Sequence, residues 1–415
     1  MNFTETKSPK GTIDLYSDEY EKISYYKSQL EKIFIHTGGI GLETPVFDHQ
    51  ANLLGKYGED AESKLVFNLE QTGSDDAEKY TLKYDLTIPK MRFVKSKSID
   101  KARIYSISKV YRRDQPSLGR YREFYQADFD IIGEDSKSLV NEFVLLKMAH
   151  QFIQTNNFGG YKILINDTSN LSHILVDLVG IEPVNFKSVC STIDKLDKYS
   201  FDKLESEFKI KGLTNEQIQI LKTNLSNPNP INNETLEKIA KIKSMASYFD
   251  FDLNIVFTPH MARGLDYYNG IIFEIVLDNH SSTIISGGRY DGLIENMSLI
   301  GISFGLSRIV GLIGKSGLLK KPNENKWKSI YMLTTISNLI DLNTKLSICS
   351  KLEKKINQPI QISSEMKEEK KLIKTITWCV QNYVRWLFVI APDELAQNKI
   401  ILKDLENSTQ ELIEI

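Results

Sequence analysis

Four arginines, Arg112, Arg113, Arg120 and Arg122, crowd the stretch Val110-Tyr-Arg-Arg-Asp-Gln-Pro-Ser-Leu-Gly-Arg-Tyr-Arg-Glu-Phe-Tyr-Gln-Ala-Asp-Phe-Asp130. A guanidinium keeps its charge and offers a planar fork that matches phosphate oxygens two at a time. An aromatic ring such as Phe124 can stack on a nucleobase. Gln126 and Asp130 are four residues apart, so on a strand they share one face with Phe124 and Asp128. Carboxylates on a core-facing strand are costly unless paired. That face is therefore either a polar site or a solvated hairpin laced with salt bridges.

Arg263-Gly-Leu-Asp-Tyr-Tyr-Asn-Gly-Ile-Ile-Phe-Glu274 sets one cation, two carboxylates and the tyrosines Tyr267 and Tyr268 around two glycines. The glycines permit close backbone approach, and a tyrosine seals a pocket with its ring while its hydroxyl reaches a polar ligand. Ordinary tyrosine packing in a strand-turn-strand is the competing reading. Ser286-Gly-Gly-Arg-Tyr-Asp-Gly292 and Gly301-Ile-Ser-Phe-Gly-Leu-Ser-Arg308 add two glycine-rich stretches. The second is not a dinucleotide fingerprint, because its spacing differs and no strand-helix-strand unit surrounds it. It reads as a glycine strand beneath a ligand with Arg308 above, or as a tight strand-helix junction.

The elements that must position these residues follow from periodicity. Tyr20, Ile23, Tyr26, Leu30, Ile33 and Phe34 recur at helical spacing over Asp18 to His36, and Thr37-Gly38-Gly39 stops that helix. A short strand ends at Pro45. Leu65 to Leu69 and Lys79 to Tyr84 read as strands joined by a polar loop, and Ala102 to Val110 with Phe124 to Ile132 as a long hairpin. Hairpins outnumber strand-helix-strand units, which predicts an α+β core with a six- or seven-stranded antiparallel sheet flanked by helices. Residues 166–250 read as a helical insertion, with strands returning after Ile255. Residues 315–328 form a linker, and 329–415 alternate strand and helix as a small α/β domain. The expected division is 1–165 and 251–314 for the core, then insertion, linker and C-terminal domain.

Composition narrows the class. The chain has 415 residues, 41% of them apolar, with 52 Lys and Arg against 54 Asp and Glu, for a net charge of −2. A nucleic-acid coat would be strongly basic, so any RNA must be held by local patches. Three cysteines lie far apart and six histidines stand singly. That predicts reduced thiols in a cytoplasmic protein and no metal site. The polar start and the lack of an 18-residue apolar run predict neither a signal peptide nor a membrane span.

Taken together, the motifs resemble the class II aminoacyl-tRNA synthetases, and specifically the histidyl-tRNA synthetase family. The 110–130 hairpin is similar to motif 2, Pro45 stands where motif 1 has its proline, and Gly301 to Arg308 resembles motif 3. Arg263-Gly-Leu-Asp-Tyr-Tyr, with Leu82-Lys-Tyr-Asp-Leu-Thr87 and Ser286 to Gly292, resembles the histidine signature. The wording of Gly55 to Asp60 and of Asp128 to Ile131 is closer to the eukaryotic and archaeal branch. The resemblance runs from about Pro9 to Gly314, less the insertion.

That resemblance implies a class II antiparallel core with a C-terminal domain like those that bind anticodons. It implies a histidine–tRNA ligase acting on L-histidine, ATP with Mg2+ and tRNA(His), with no tightly bound cofactor. It also implies a homodimer joined through the first helix and the strand before Pro45. Arg112 would grip the α-phosphate and Asp114 would read the adenine amino group. Phe124 would stack on adenine, with Arg308 on its other face or near the γ-phosphate. Asp85, Thr87 and Gln126 would hold the α-ammonium of histidine. Asp130 and Tyr268 would meet the imidazole nitrogens, with Tyr267 lining the pocket. Arg263 would sit between the histidine carboxylate and the α-phosphate, while Gln115 and Arg120 approach the RNA acceptor end. Motif 3 has Ser307 where the family carries an acidic residue, which removes an expected salt-bridge partner of Arg308, and Ile13 stands in place of an arginine. Two other readings of such a chain are a regulatory subunit of a phosphoribosyltransferase and a sensor of uncharged tRNA.

Overall fold

The computed structural model describes residues 6–415 apart from 17, 54–64, 71–77, 118, 135–136, 228–231, 263–267, 279, 281, 314–330, 338–339, 363–371 and 382–383. Its first part runs α1 (Asp18–His36), β1 (Ile40–Gly41), β2 (Phe47–His49), α2 (Gln50–Leu53), β3 (Tyr80–Leu82), α3 (Thr87–Ser96), β4 (Ala102–Tyr111), β5 (Glu123–Ile132), α4 (Val140–Thr155) and β6 (Tyr161–Asp167). Helix α1 forms where its apolar spacing predicts it. Ile23, Tyr26, Leu30, Ile33 and Phe34 are buried, while Tyr20 faces outward. The helix stops because Gly38 takes φ +85° and the Gly39 N–H turns back to the Phe34 carbonyl at 2.8 Å, a left-handed cap that a Cβ would strain.

A helical stretch follows: α5 (Thr168–Ser172) continuing into a π-turn, then α6 (Phe186–Ile193), α7 (Phe201–Ile210), α8 (Asn215–Leu225) and α9 (Asn233–Ser247). Its own apolar cluster includes Leu171, Val189, Phe208 and Leu221. Thr214 opens α8 with a capping box, exchanging hydrogen bonds with Gln217, which fixes the helix start.

The chain then returns through β7 (Ile255–Phe257), β8 (Ile271–Leu277), β9 (Thr283–Arg289), β10 (Leu299–Phe304) and α10 (Leu306–Ile313). One eight-stranded sheet results, in the order β1-β4-β5-β10-β9-β8-β6-β7. It is antiparallel except where the short strands β1 and β7 join in parallel at its edges. The expectation of six or seven strands is corrected to eight, because two- and three-residue edge strands carry no readable alternation. The expected hairpin of 65–69 with 79–84 also changes. β3 pairs antiparallel with β2, and the 65–69 segment adds an isolated bridge, Asn68 to Thr81.

Alternation along β5 divides its side chains. Ala127, Phe129 and Ile131 enter the main core against α1 and α4, with Phe129 5.5 Å from Phe34 ring to ring. Their neighbours face the opposite side of the sheet.

The last part comprises β11 (Tyr331–Thr335), α11 (Leu342–Ile356), β12 (Ile360–Ile362), α12 (Leu372–Gln381), β13 (Trp386–Ile390), α13 (Pro392–Leu395), β14 (Lys399–Asp404) and β15 (Thr409–Glu414). These strands form a second sheet, β12-β11-β13-β14-β15, parallel across its first three and antiparallel across its last. The helices α11 and α12 and the strands β11, β13 and β14 match the sequence pattern. The short β12 and the polar, exposed β15 were not legible there. Lys147 of α4 reaches Glu353 of α11 at 2.8 Å, tying this sheet's helix to the core.

Candidate active site

The face of β5 turned away from the core carries Phe124, Gln126, Asp128 and Asp130 into one cleft of about 900 Å³. Asp85 and Thr87 reach it from the start of α3, Arg112, Asp114 and Arg120 from the β4–β5 loop, and Arg308 from α10. Tyr268 lines it as well. The periodicity argument for β5 therefore holds. Gln115 is exposed and stands outside the cleft wall. Arg263, Tyr267 and the Gly55 to Asp60 stretch lie outside the described residues, as does the 315–328 linker.

Two buried carboxylates anchor the floor. Asp130 accepts hydrogen bonds on both oxygens, from the ammonium of Lys90 on α3 and from the Tyr290 hydroxyl. Asp128 accepts one from Ser303 Oγ at 2.6 Å, and Ser303 in turn accepts from Gln126 Nε2 at 2.8 Å. Strand register makes this relay possible, since Ser303 lies directly opposite Asp128 in the β5–β10 ladder. Burial pushes the Asp128 carboxyl up to about 7. The Lys90 ammonium and the Ser303 hydrogen bond pull against that shift, while Asp130 and Asp85 add to it. Asp85 also accepts the Ile88 N–H at 3.1 Å, which ties the cleft to the first turn of α3.

The loop above is ordered by its arginines. Arg112 donates from Nε to the Tyr84 carbonyl at 3.1 Å and reaches Gln126 Oε1 at 3.5 Å. Its guanidinium lies 4.4 Å from the Tyr84 ring centre and 5.4 Å from that of Phe124, close enough for cation–π attraction. Arg120 grips Asp114 with two hydrogen bonds of 3.1 and 3.2 Å. Asp114 thus already has a partner on each oxygen. Burial raises the Tyr84 hydroxyl above its ordinary value, against the pull of Arg112.

Arg308 has no need of the missing acidic neighbour. Its Nη1 donates to the Thr283 carbonyl at 2.7 Å and its Nε to that of Gly119 at 3.4 Å. Ser307 serves elsewhere, accepting the Tyr125 N–H at 2.8 Å.

Lys90, Tyr290, Ser303 and Tyr84 were not singled out from sequence. Tyr290 lies inside the quoted 286–292 motif, next to Arg289. Arg289 instead makes a buried bond to Glu142 of α4, at 2.7 Å. Lys90 did leave a trace: it is a cation on the face of α3 that buries Ile88, Met91 and Val94.

An antiparallel sheet whose long hairpin and glycine strand bring arginines, an aromatic ring and buried carboxylates into one cleft is the core of a class II aminoacyl-tRNA synthetase. The family model described as histidyl-tRNA synthetase matches residues 11–309, and the chain belongs to that family. It is 31% identical, over 98% of its length, to the cytoplasmic histidine–tRNA ligase of Oryza sativa subsp. japonica. It spans about half the length of the plant relatives it matches, 53% of the rice protein and 47% of the one from Arabidopsis thaliana. A probable cytoplasmic histidine–tRNA ligase of Vairimorpha ceranae is 30% identical, with 99% of this chain and 97% of that one covered. Among solved structures, histidyl-tRNA synthetase from Nostoc sp. PCC 7120 shares the fold at a TM-score of 0.62 and 22% identity, covering 99% of this chain and 97% of its own.

Proposed function

We propose that this chain activates L-histidine with MgATP to histidyl-adenylate and passes the histidyl group to tRNA(His). The observation that carries this is the single face of β5, which delivers Phe124, Gln126, Asp128 and Asp130 into the cleft that also holds Arg112 and Arg308. The histidine carboxylate attacks the α-phosphorus and pyrophosphate leaves. A terminal ribose hydroxyl of the tRNA then attacks the carbonyl, and AMP leaves.

Negative charge grows on the α-phosphate in the first step. Arg112, preset by its carbonyl and ring contacts, meets that charge without reorganising, and Arg263 adds a second cation. No side-chain nucleophile is required, so rate derives from orientation and electrostatics. Phe124 stacks on the adenine, with Asp114 at its amino group and Arg308 on its other face or near the γ-phosphate. Asp85, Thr87 and Gln126 take the α-ammonium. Asp130 and Tyr268 meet the imidazole, Tyr267 lines the pocket, and Gln115 with Arg120 faces the RNA end. A site whose polar groups need both imidazole nitrogens leaves them unpaired with other amino acids, discriminating by roughly 10⁴ or more.

In this reading residues 1–165 and 251–314 form the catalytic core, 166–250 an insertion and 329–415 an anticodon-binding domain. The protein works as a cytoplasmic homodimer. No described helix is long and apolar enough to cross a membrane. The test is ATP–pyrophosphate exchange with each amino acid, followed by charging of tRNA(His). Exchange with histidine alone is the expected result. No exchange in a folded protein overturns the reading.

A further inference from the structure

Lys90 is completely buried, one of the largest side chains in the molecule to be so. It sits on α3, on the side that buries Ile88, Met91 and Val94. A buried ammonium is costly unless it is paired. Its pair is Asp130, which it meets from behind the cleft wall while Asp130 itself lines the cleft. Among the described residues, the other ionisable groups at this floor are Asp128 on the same strand, which also feels Asp85 ahead of α3, Tyr290 after β9, which donates to Asp130, and Tyr268 against the Tyr290 ring. The described part of the floor therefore carries three carboxylates and one buried cation. Lys90 is not among the residues that line the cleft, so whatever it does for a ligand there it does through Asp130.

We infer that Lys90 is a positioning residue for amino-acid specificity: it neutralises Asp130, so that the pocket accepts an uncharged imidazole N–H rather than a cationic side chain. This rests on the functional reading above. A carboxylate already balanced by an ammonium offers a lone pair to a neutral donor but little net attraction to a second cation. The same carboxylate without its ammonium would attract imidazolium, or hold a proton of its own and hand it to the ring. In both cases the complex contains one more proton than the native one, which reverses how histidine affinity depends on pH.

The measurement is the KM for histidine in ATP–pyrophosphate exchange between pH 5.5 and 8. In the native protein it should rise about tenfold from pH 7.5 to 5.5, as free histidine becomes imidazolium with a pKa of about 6.5. In Lys90→Met and Lys90→Gln it should stay flat or fall over that range, while the KM for ATP changes less than about twofold. Lys90→Arg, which keeps the charge, should restore the native slope. A purely structural role would lower thermal stability and leave the native slope in every variant, and that outcome overturns the proposal. If neither neutral variant folds, proton release on histidine binding to the native protein, read by calorimetry in buffers of different ionisation enthalpy, carries the test: at pH 5.5, where about nine-tenths of free histidine is imidazolium, a pocket that takes the neutral ring must release about 0.9 proton per histidine bound, and binding without release overturns the proposal. Absence of any exchange in the native protein overturns the functional reading and this inference together, whereas exchange with unaltered slopes overturns only the role of Lys90.

Discussion

Gly301 stands directly opposite Asp130 in the β5–β10 ladder, and the space its missing side chain leaves is filled by the Asp130 carboxylate. A Cβ at 301 would fall on Asp130 Oδ1 and come within 3.2 Å of the Tyr290 hydroxyl. Both atoms belong to one buried hydrogen-bonded unit, so neither can give way alone. Gly301→Ala should therefore displace the carboxylate at a cost of about 1–3 kcal/mol. The expected result is a rise of roughly tenfold or more in the histidine KM, with the ATP KM little changed. Equal loss for both substrates would mean that the sheet, rather than the carboxylate, had moved.

Asp128 predicts a pH dependence of stability. Burial raises its carboxyl to about 7, whereas an unfolded aspartate titrates near ~4. The folded state thus keeps a proton that the unfolded state has already released. With more protons bound in the folded state, stability falls as pH rises from about 4 to about 7 and stays low above that. Asparagine keeps an acceptor for Ser303 and never ionises. Asp128→Asn should be more stable than the native chain by on the order of 1–3 kcal/mol at pH 8, with roughly three-quarters of the gain lost by pH 4.5. Urea unfolding at the two pH values checks this, and a gain independent of pH would refute it.

The legible parts of this protein are those where one regular element carries a whole pattern. Helix α1 repeats at 3.6, and β5 alternates for ten residues, so periodicity alone places Phe124, Gln126 and Asp130 on one face. What stayed hidden depends on register between distant strands. Nothing local to Ser303 says that it faces Asp128, 175 residues away, and nothing local to Tyr290 says that it reaches Asp130. Lys90 was hidden for a different reason: a lysine on a helix is ordinarily a solvated one. Arg308 shows the converse, since it donates to the backbone carbonyls of Thr283 and Gly119, which leave no mark in sequence.

Ser303 links Gln126 to Asp128, accepting at 2.8 Å and donating at 2.6 Å. Alanine would leave the Gln126 amide with its Arg112 contact but without Ser303, and Asp128 without the Ser303 donor. An unmade buried hydrogen bond costs about 1–3 kcal/mol. If Gln126 holds the α-ammonium of histidine, Ser303→Ala should raise the histidine KM by about five- to twentyfold and spare the ATP KM. A change confined to ATP would remove Gln126 from the amino-acid side of the cleft.

Arg112→Lys separates charge from geometry. The guanidinium is pinned by the Tyr84 carbonyl at 3.1 Å and lies 4.4 Å from the Tyr84 ring centre and 5.4 Å from that of Phe124. A lysine ammonium keeps the charge but cannot fork across two oxygens, and it would stand free of the rings that hold the fork in place. If Arg112 acts chiefly on charge developing at the α-phosphorus, the loss falls on the transition state. The kcat of histidine-dependent exchange should drop by about 10² or more, of the order seen when one preorganised donor is removed, with both KM values within about threefold. A raised ATP KM with kcat intact would instead assign Arg112 to ground-state binding of the nucleotide, leaving Arg263 as the cation to test for the chemical step.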